Sequence, residues 1–224
     1  MNNSNSEEVS KVVLKSQTSI VGINCKDGVV MAGDRRATLG GQIVARKKEH
    51  KLEKINDYLL LAWTGGVSDA QLSAKVIAAE LKLKELKTRE RPSVKEAANF
   101  IGSYLYRNIR TPSMVPAIVG LLAGGLNEDG TAELYTISPD GVVWPVDDFD
   151  ANLCSGMPYI LGALERRYKK DITVKEGIEL AQEAIKASME RDTASGNGID
   201  VFSITKDGIN HVVSEEIIPQ FTKD

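Results

Sequence analysis

Cysteine is nearly missing from this chain: Cys25 and Cys154 are the only two among 224 residues. Both lie in apolar, strand-like surroundings, so buried thiols are expected rather than a disulfide, as in a reducing compartment. An excess of positive charge is missing too. Lysine and arginine number 28 against 31 aspartates and glutamates, giving a net charge of −3 and a pI near 5.6. That argues against the basic domain or stripe of a nucleic-acid footprint. No apolar run approaches the ~20 residues of a membrane span. Residues 1–17, with Glu7, Glu8 and several Asn and Ser, hold no apolar signal-peptide core. There is no internal repeat and no low-complexity tract. The expectation is a cytoplasmic protein with no nucleic-acid or membrane partner and no metal or cofactor.

What is present is an ordinary globular composition, 42% apolar and 26% charged, in a chain long enough for one layered domain. Residues 1–17 are expected as a polar leader and 18–224 as the single domain. The domain opens on residues 18–40, TSIVGINCKDGVVMAGDRRATLG. This reads as two strands joined at Lys26-Asp27-Gly28, since Asp-Gly between apolar runs is a strong hairpin signal. Val29, Val30, Met31 and Ala32 are apolar on consecutive positions, as in a strand covered on both faces. Asp34-Arg35-Arg36 ends that strand, and charges there need partners if buried.

Further on, Gln42–Ala45 and Leu59–Trp63 read as strands. Ser68 is the expected N-cap of a helix to about Thr88, with Val67, Ala70, Ala74, Ile77 and Leu81 on one stripe. Pro92-Ser93 starts a second helix with Val94, Ala97, Ile101, Tyr104 and Leu105 inward. Strands return at Ala117–Ala123, Ala132–Ile137 and Val142–Pro145, separated by Asn127–Gly130 and Pro139–Gly141 turns. Ser155-Gly156 opens a third helix through Tyr168, and Thr173 caps a fourth. Ile199–Thr205 and Ile209–Val213 form a closing hairpin. Strands and helices come in blocks, which argues against a doubly wound parallel sheet. Two antiparallel sheets face to face, flanked by helix pairs, would bury every apolar stripe.

Thr18, Val21-Gly22-Ile23 and Asp34-Arg35-Arg36-Ala37-Thr38 together resemble the opening of proteasome β-type subunits, the archaeal ones above all. The resemblance runs from Thr18 through nearly the whole chain. It implies an α+β, four-layer αββα sandwich of the N-terminal-nucleophile (Ntn) hydrolase kind. It further implies a threonine endopeptidase degrading unfolded polypeptides inside a closed chamber. Seven-membered β rings, proteasome α-subunit rings and, indirectly, an ATP-dependent unfoldase are the implied partners.

By the same resemblance Thr18 is the nucleophile, Asp34 the orienting carboxylate and Lys51 the cation. The spacing alone leaves Lys47 and Lys48 as alternatives to Lys51, and Asp34 as a partner of Arg35 or Arg36. Ser155, Asp192 and Ser195 match the groups around the catalytic amine and water. Their plainer readings are a helix cap for Ser155 and an Asx turn for Asp192. Gly65 matches the backbone N–H facing the substrate oxyanion, and Thr38 the substrate-binding strand. The Gln17–Thr18 bond is the implied cleavage site, and self-cleavage there makes the chain a zymogen. Glycine is usual before the threonine, and Gln17 stands in its place. The alternative is therefore an unprocessed, structural β-type subunit beside an active paralogue.

Overall fold

Strands apolar on consecutive positions need cover on both faces, and the observed architecture supplies it. The structure is a computed structural model that describes residues 14–16 and 18–217; Gln17, most of the expected leader and residues 218–224 lie outside the described residues. In chain order, β1 (Leu14–Ser16), β2 (Ile20–Cys25), β3 (Gly28–Asp34), β4 (Ala37–Leu39), β5 (Ile43–Arg46), β6 (Leu52–Lys54) and β7 (Leu59–Gly66) precede helices α1 (Val67–Thr88) and α2 (Val94–Arg110). Strands β8 (Val119–Leu126), β9 (Ala132–Ile137), β10 (Val143–Pro145) and β11 (Phe149–Asp150) follow. Then come α3 (Met157–Leu164), α4 (Val174–Met189), β12 (Gly198–Thr205) and β13 (Gly208–Glu216).

The strands form two antiparallel sheets. The larger runs β10-β9-β8-β7-β1-β4-β5, with β6 also on β7, and the smaller runs β11-β2-β3-β12-β13. Residue parity along β7 shows how the layers meet. Leu59, Leu61 and Trp63 join Ile77, Leu81, Ile101 and Leu105 of α1 and α2. Leu60 and Ala62 join Leu122, Leu134, Met31 and Val201, in the core shared with the smaller sheet. Alternate side chains of a strand face opposite sides, so this sheet is apolar on both. Helices α3 and α4 cover the smaller sheet through Ile160, Leu164, Leu180 and Ile185. The result is the expected αββα sandwich.

Several local expectations shift. Ser68 is not a cap: α1 starts two residues earlier than that cap implies, with Gly66 at the N-cap position and no side-chain cap bond. Ser93 and Thr173 do cap, each in a reciprocal capping box, with Glu96 and Glu176. The third helix ends at Leu164, short of Tyr168. Cys154 lies in the loop before α3 rather than in a strand, although it and Cys25 are free and buried.

Four short strands escape the sequence pattern: β1, β4, β6 and β11. β4 matters most. Asp34 ends a strand of the smaller sheet and Ala37 begins one of the larger, so the chain changes sheets across Arg35-Arg36. That crossing sets a carboxylate between the layers.

We expect Leu122→Ala, at a fully buried position, to lose ~2–5 kcal/mol of stability through the cavity it leaves. Leu86→Ala, at a side chain 66% exposed, should stay within ~0.5 kcal/mol. Denaturant unfolding of both variants checks this, and equal losses would mean the inter-sheet core is not closely packed.

Candidate functional site

The β2–β3 pairing sets the centre of the site. Ile20 pairs with Gly33, so Ser19 and Thr18 run on beside Asp34, and the Asp34 N–H donates to the Ser19 carbonyl at 3.0 Å. Lys51 enters from the other sheet, just ahead of β6, its carbonyl accepting from Trp63 N–H at 3.0 Å. Thr18, Asp34 and Lys51 are all fully buried.

Asp34 is the hub. Its Oδ1 accepts from Lys51 Nζ at 2.6 Å, Ser19 N–H at 2.9 Å and Thr18 Oγ1 at 3.0 Å. Its Oδ2 accepts the N–H groups of Arg36 at 2.9 Å and Gly196 at 2.8 Å. Neither Arg35 nor Arg36 uses its guanidinium on Asp34, and Lys48 pairs with Glu216, so Lys51 is the cation that meets this carboxylate. Burial pushes the Lys51 ammonium below its ordinary value, and the Asp34 charge and hydrogen bond pull it back up. Nearby, burial pushes the Cys154 thiol up to about 12, so it carries no thiolate at neutral pH.

A second group converges on the Thr18 carbonyl. Gly156 N–H donates to it at 3.1 Å, and Ser155 Oγ lies 3.1 Å from it and 2.6 Å from Asp192 Oδ2. Ser155 therefore faces the centre and does not cap α3. Ser195 Oγ donates to the same Asp192 oxygen at 2.5 Å. Asp192 also takes the expected Asx-turn contact from Ala194 N–H at 3.2 Å.

Two hydroxyls extend this group beyond the sequence expectation. Ser19 Oγ lies 2.7 Å from Ser195 Oγ and also bonds Ser188 Oγ on α4. A Cβ at Gly156 would sit 2.0 Å from Ser19 Oγ, so only glycine fits there. Serine has little sequence signal of its own, and only proximity in the fold reveals these two.

Arg36 fixes the 192–197 loop, donating to Thr193 O at 2.7 Å and Asn197 Oδ1 at 2.8 Å. Thr38 and Gly65 lie on β4 and β7, which flank β1: Lys15 pairs with both Thr38 and Gly66, and Ser16 pairs with Gly65. Gly65 has φ +107°, and a Cβ there would meet the Ile118 carbonyl oxygen at 2.1 Å, so glycine is required. Gln17 lies outside the described residues.

Arg35 turns the opposite way, toward a second buried carboxylate. Its Nε donates to Asp200 Oδ2 at 2.9 Å and its Nη2 to Oδ1. His50 Nδ1 lies 2.8 Å from Oδ2 and His211 Nε2 2.9 Å from Oδ1. Burial alone would raise the Asp200 carboxyl, but bonds and charge from Arg35 and His50 outweigh it and hold it below its ordinary value. Among the described residues, no group of three or more His, Cys, Asp or Glu could hold a metal ion, and no helix is long and apolar enough to cross a membrane.

Two antiparallel sheets face to face, flanked by helix pairs, are the αββα architecture of the Ntn-hydrolase class. The proteasome subunit model matches residues 14–204. Similar chains include proteasome subunit beta of Archaeoglobus profundus, 40% identical over 94% of this chain and 94% of the relative. That of Ferroglobus placidus is 42% identical over 89% and 92%, and that of Nanoarchaeum equitans 39% identical over 88% and 98%. The chain belongs to the proteasome subunit family, as one of its β-type members.

Because the Asp200 carboxyl is depressed in the fold, its stabilising contribution is present above the ordinary value of ~3.9 and lost as pH falls through the folded value. We expect Asp200→Asn to lower stability by ~2–4 kcal/mol at pH 6, with the gap to the parent chain shrinking below about pH 4. Thermal unfolding across pH measures it, and a gap independent of pH would contradict the assignment.

Proposed function

We propose that this chain is a catalytic β subunit of a 20S proteasome core particle, a threonine endopeptidase that acts on unfolded polypeptide. The observation that carries the reading is the buried array Thr18–Asp34–Lys51, with Oδ1 of one carboxylate bonded to both the hydroxyl and the ammonium. A threonine hydroxyl is a weak nucleophile and needs a base, and a free α-amine on the same residue can serve, directly or through a water. Such amines ionise near ~7.7–8.0, which leaves a neutral fraction at cellular pH. The amide before Thr18 must therefore be cut.

The cut and the turnover follow one chemistry. Thr18 Oγ1 attacks the Gln17 carbonyl, the Gln17–Thr18 amide breaks to an ester, and the Thr18 nitrogen takes the proton to become the free amine. Water hydrolyses the ester and releases residues 1–17. A substrate carbonyl is then attacked by the same oxygen, its proton passing through the α-amine to the departing amine, and water clears the acyl group. Asp34 holds Lys51 and Thr18 in place, while Ser155, Asp192 and Ser195 hold the amine and the water. Gly65 supplies an N–H for the oxyanion.

The leader supports a mode of substrate capture. β1 fills the gap between β4 and β7 with main-chain pairing, which is strand addition. Once it leaves, an extended peptide takes the same edges, Thr38 on one side and Gly65 on the other. Exposed Ile43, Leu72, Leu86, Met114 and Trp144 support burial against other subunits. Those subunits are β neighbours in seven-membered rings, stacked under α rings in the cytoplasm and served by an ATP-dependent unfoldase. The second reading, an unprocessed structural subunit beside an active paralogue, draws on Gln17, because a side chain there opposes the turn that self-cleavage needs.

Thr18→Ala should leave residues 1–17 attached and abolish peptide hydrolysis by particles assembled with α subunits, without altering the thermal transition by more than a few degrees. Gln17→Gly should raise the fraction of chains beginning at Thr18, by roughly five- to 150-fold in cleavage rate for a barrier of ~1–3 kcal/mol. N-terminal sequencing and peptide hydrolysis on the same particles decide it. Cleaved Gln17→Gly particles that stay inactive would favour the structural subunit.

A further inference from the structure

The two histidines of this chain, His50 and His211, both end on Asp200, and Asp200 belongs to no part of the chemistry above. The carboxylate is 1% exposed and takes four nitrogen contacts, two from Arg35 and one from each imidazole, which fills its acceptor sites. The neighbouring charges are Lys48 and Glu216, paired at 2.9 Å, and the Arg35 guanidinium also bonds Ser214 Oγ.

The placement of the donors is what makes this cluster more than a surface pair. Arg35 follows Asp34, and His50 precedes Lys51. Each adjacent pair is split: Asp34 and Lys51 meet at the inner carboxylate, Arg35 and His50 at the outer one. Asp200 itself pairs with Gly33 on β3, next to the register partner of Asp34, Ile199.

Lys51 needs such help. Residues 47–51 belong to no strand. The backbone there is held by Glu49 N–H on the Arg35 carbonyl at 3.0 Å and by Trp63 N–H on the Lys51 carbonyl at 3.0 Å. The Glu49 side chain adds a contact to Gln71 at 3.4 Å. A lysine stem has four rotatable methylenes, so keeping Nζ 2.6 Å from Asp34 Oδ1 depends on where its Cα is pinned.

We propose that Asp200 is a positioning residue for the Lys51–Asp34 pair, acting through His50 and Arg35. The role rests on the enzyme reading given above, but the pinning of Lys51 is measurable without turnover. Buried Lys51 should resist reductive methylation in the full chain, while exposed Lys82 labels freely. Asp200→Asn and His50→Ala should raise Lys51 labelling at least fivefold relative to Lys82. In assembled particles they should lower kcat at least tenfold with KM within twofold. His50→Asn, whose amide can stand where Nδ1 does, should restore protection and most of kcat.

Unchanged Lys51 labelling in His50→Ala overturns the proposal, and so does equal labelling in His50→Ala and His50→Asn. If Asp200→Asn fails to fold, the His50 variants decide alone, since the His50 side chain is 61% exposed and its truncation leaves no core cavity. If parent particles cleave no peptide, the enzyme reading fails, and the labelling result still decides whether Asp200 pins Lys51.

Discussion

An ammonium group at zero exposure is the constraint on which the rest of this structure depends. Lys51 sits between two apolar sheets, where an unpaired charge would be strongly disfavoured, and Asp34 Oδ1 lies 2.6 Å away. One carboxylate does not suffice to make such a pair stable, because desolvation can exceed the Coulombic gain unless the remaining acceptor sites are filled. Here they are filled by the Thr18 hydroxyl and three backbone N–H groups. Those donors come from the start of β2, the crossing after β3 and the loop before β12. Closing the charge site therefore ties together segments far apart in sequence.

The sandwich makes that closure possible. A strand that stayed in one sheet would send Arg35 and Arg36 to its opposite faces, one of them into the interlayer core. The change of sheet at this point puts Asp34 in the interlayer space and sends the two guanidiniums outward to different carbonyl and carboxylate partners. Each arginine then fixes a segment near the site: Arg36 the 192–197 loop, Arg35 the β12–β13 edge. On the proposed reading, that is how the groups around the amine and the groups around the lysine keep one geometry.

Much of this was legible in the residues, and the rest fails for identifiable reasons. Long apolar runs such as Leu59–Trp63 carry their strand signal alone, and Pro92-Ser93 announces its helix start. β1, β4, β6 and β11 are two or three residues long, too short for a period, and exist because a neighbouring edge offers pairing. Ser68 looked like a cap because serine is a good one, but β7 runs directly into α1 and leaves Gly66 in the cap position. At the site, Thr18, Asp34 and Lys51 were named by resemblance and meet in space. Ser188 and Asp200 were not, because Ser19 and Arg35, which they meet, lie 169 and 165 residues away in sequence, a separation at which pattern says nothing.

The leader brings these points together. A strand lying between β4 and β7 pairs with two sheet edges, and on the proposed reading the unprocessed chain thereby holds its own cleft closed. An extended peptide offers the same backbone groups and none of the tether. On that reading the leader would have the advantage of effective concentration while attached, and would lose it once the bond before Thr18 breaks. Cleavage would then both free the amine and vacate the edges that a substrate needs. On this reading the nature of residue 17 governs both events, and a side chain there delays the opening of the cleft as much as the making of the base.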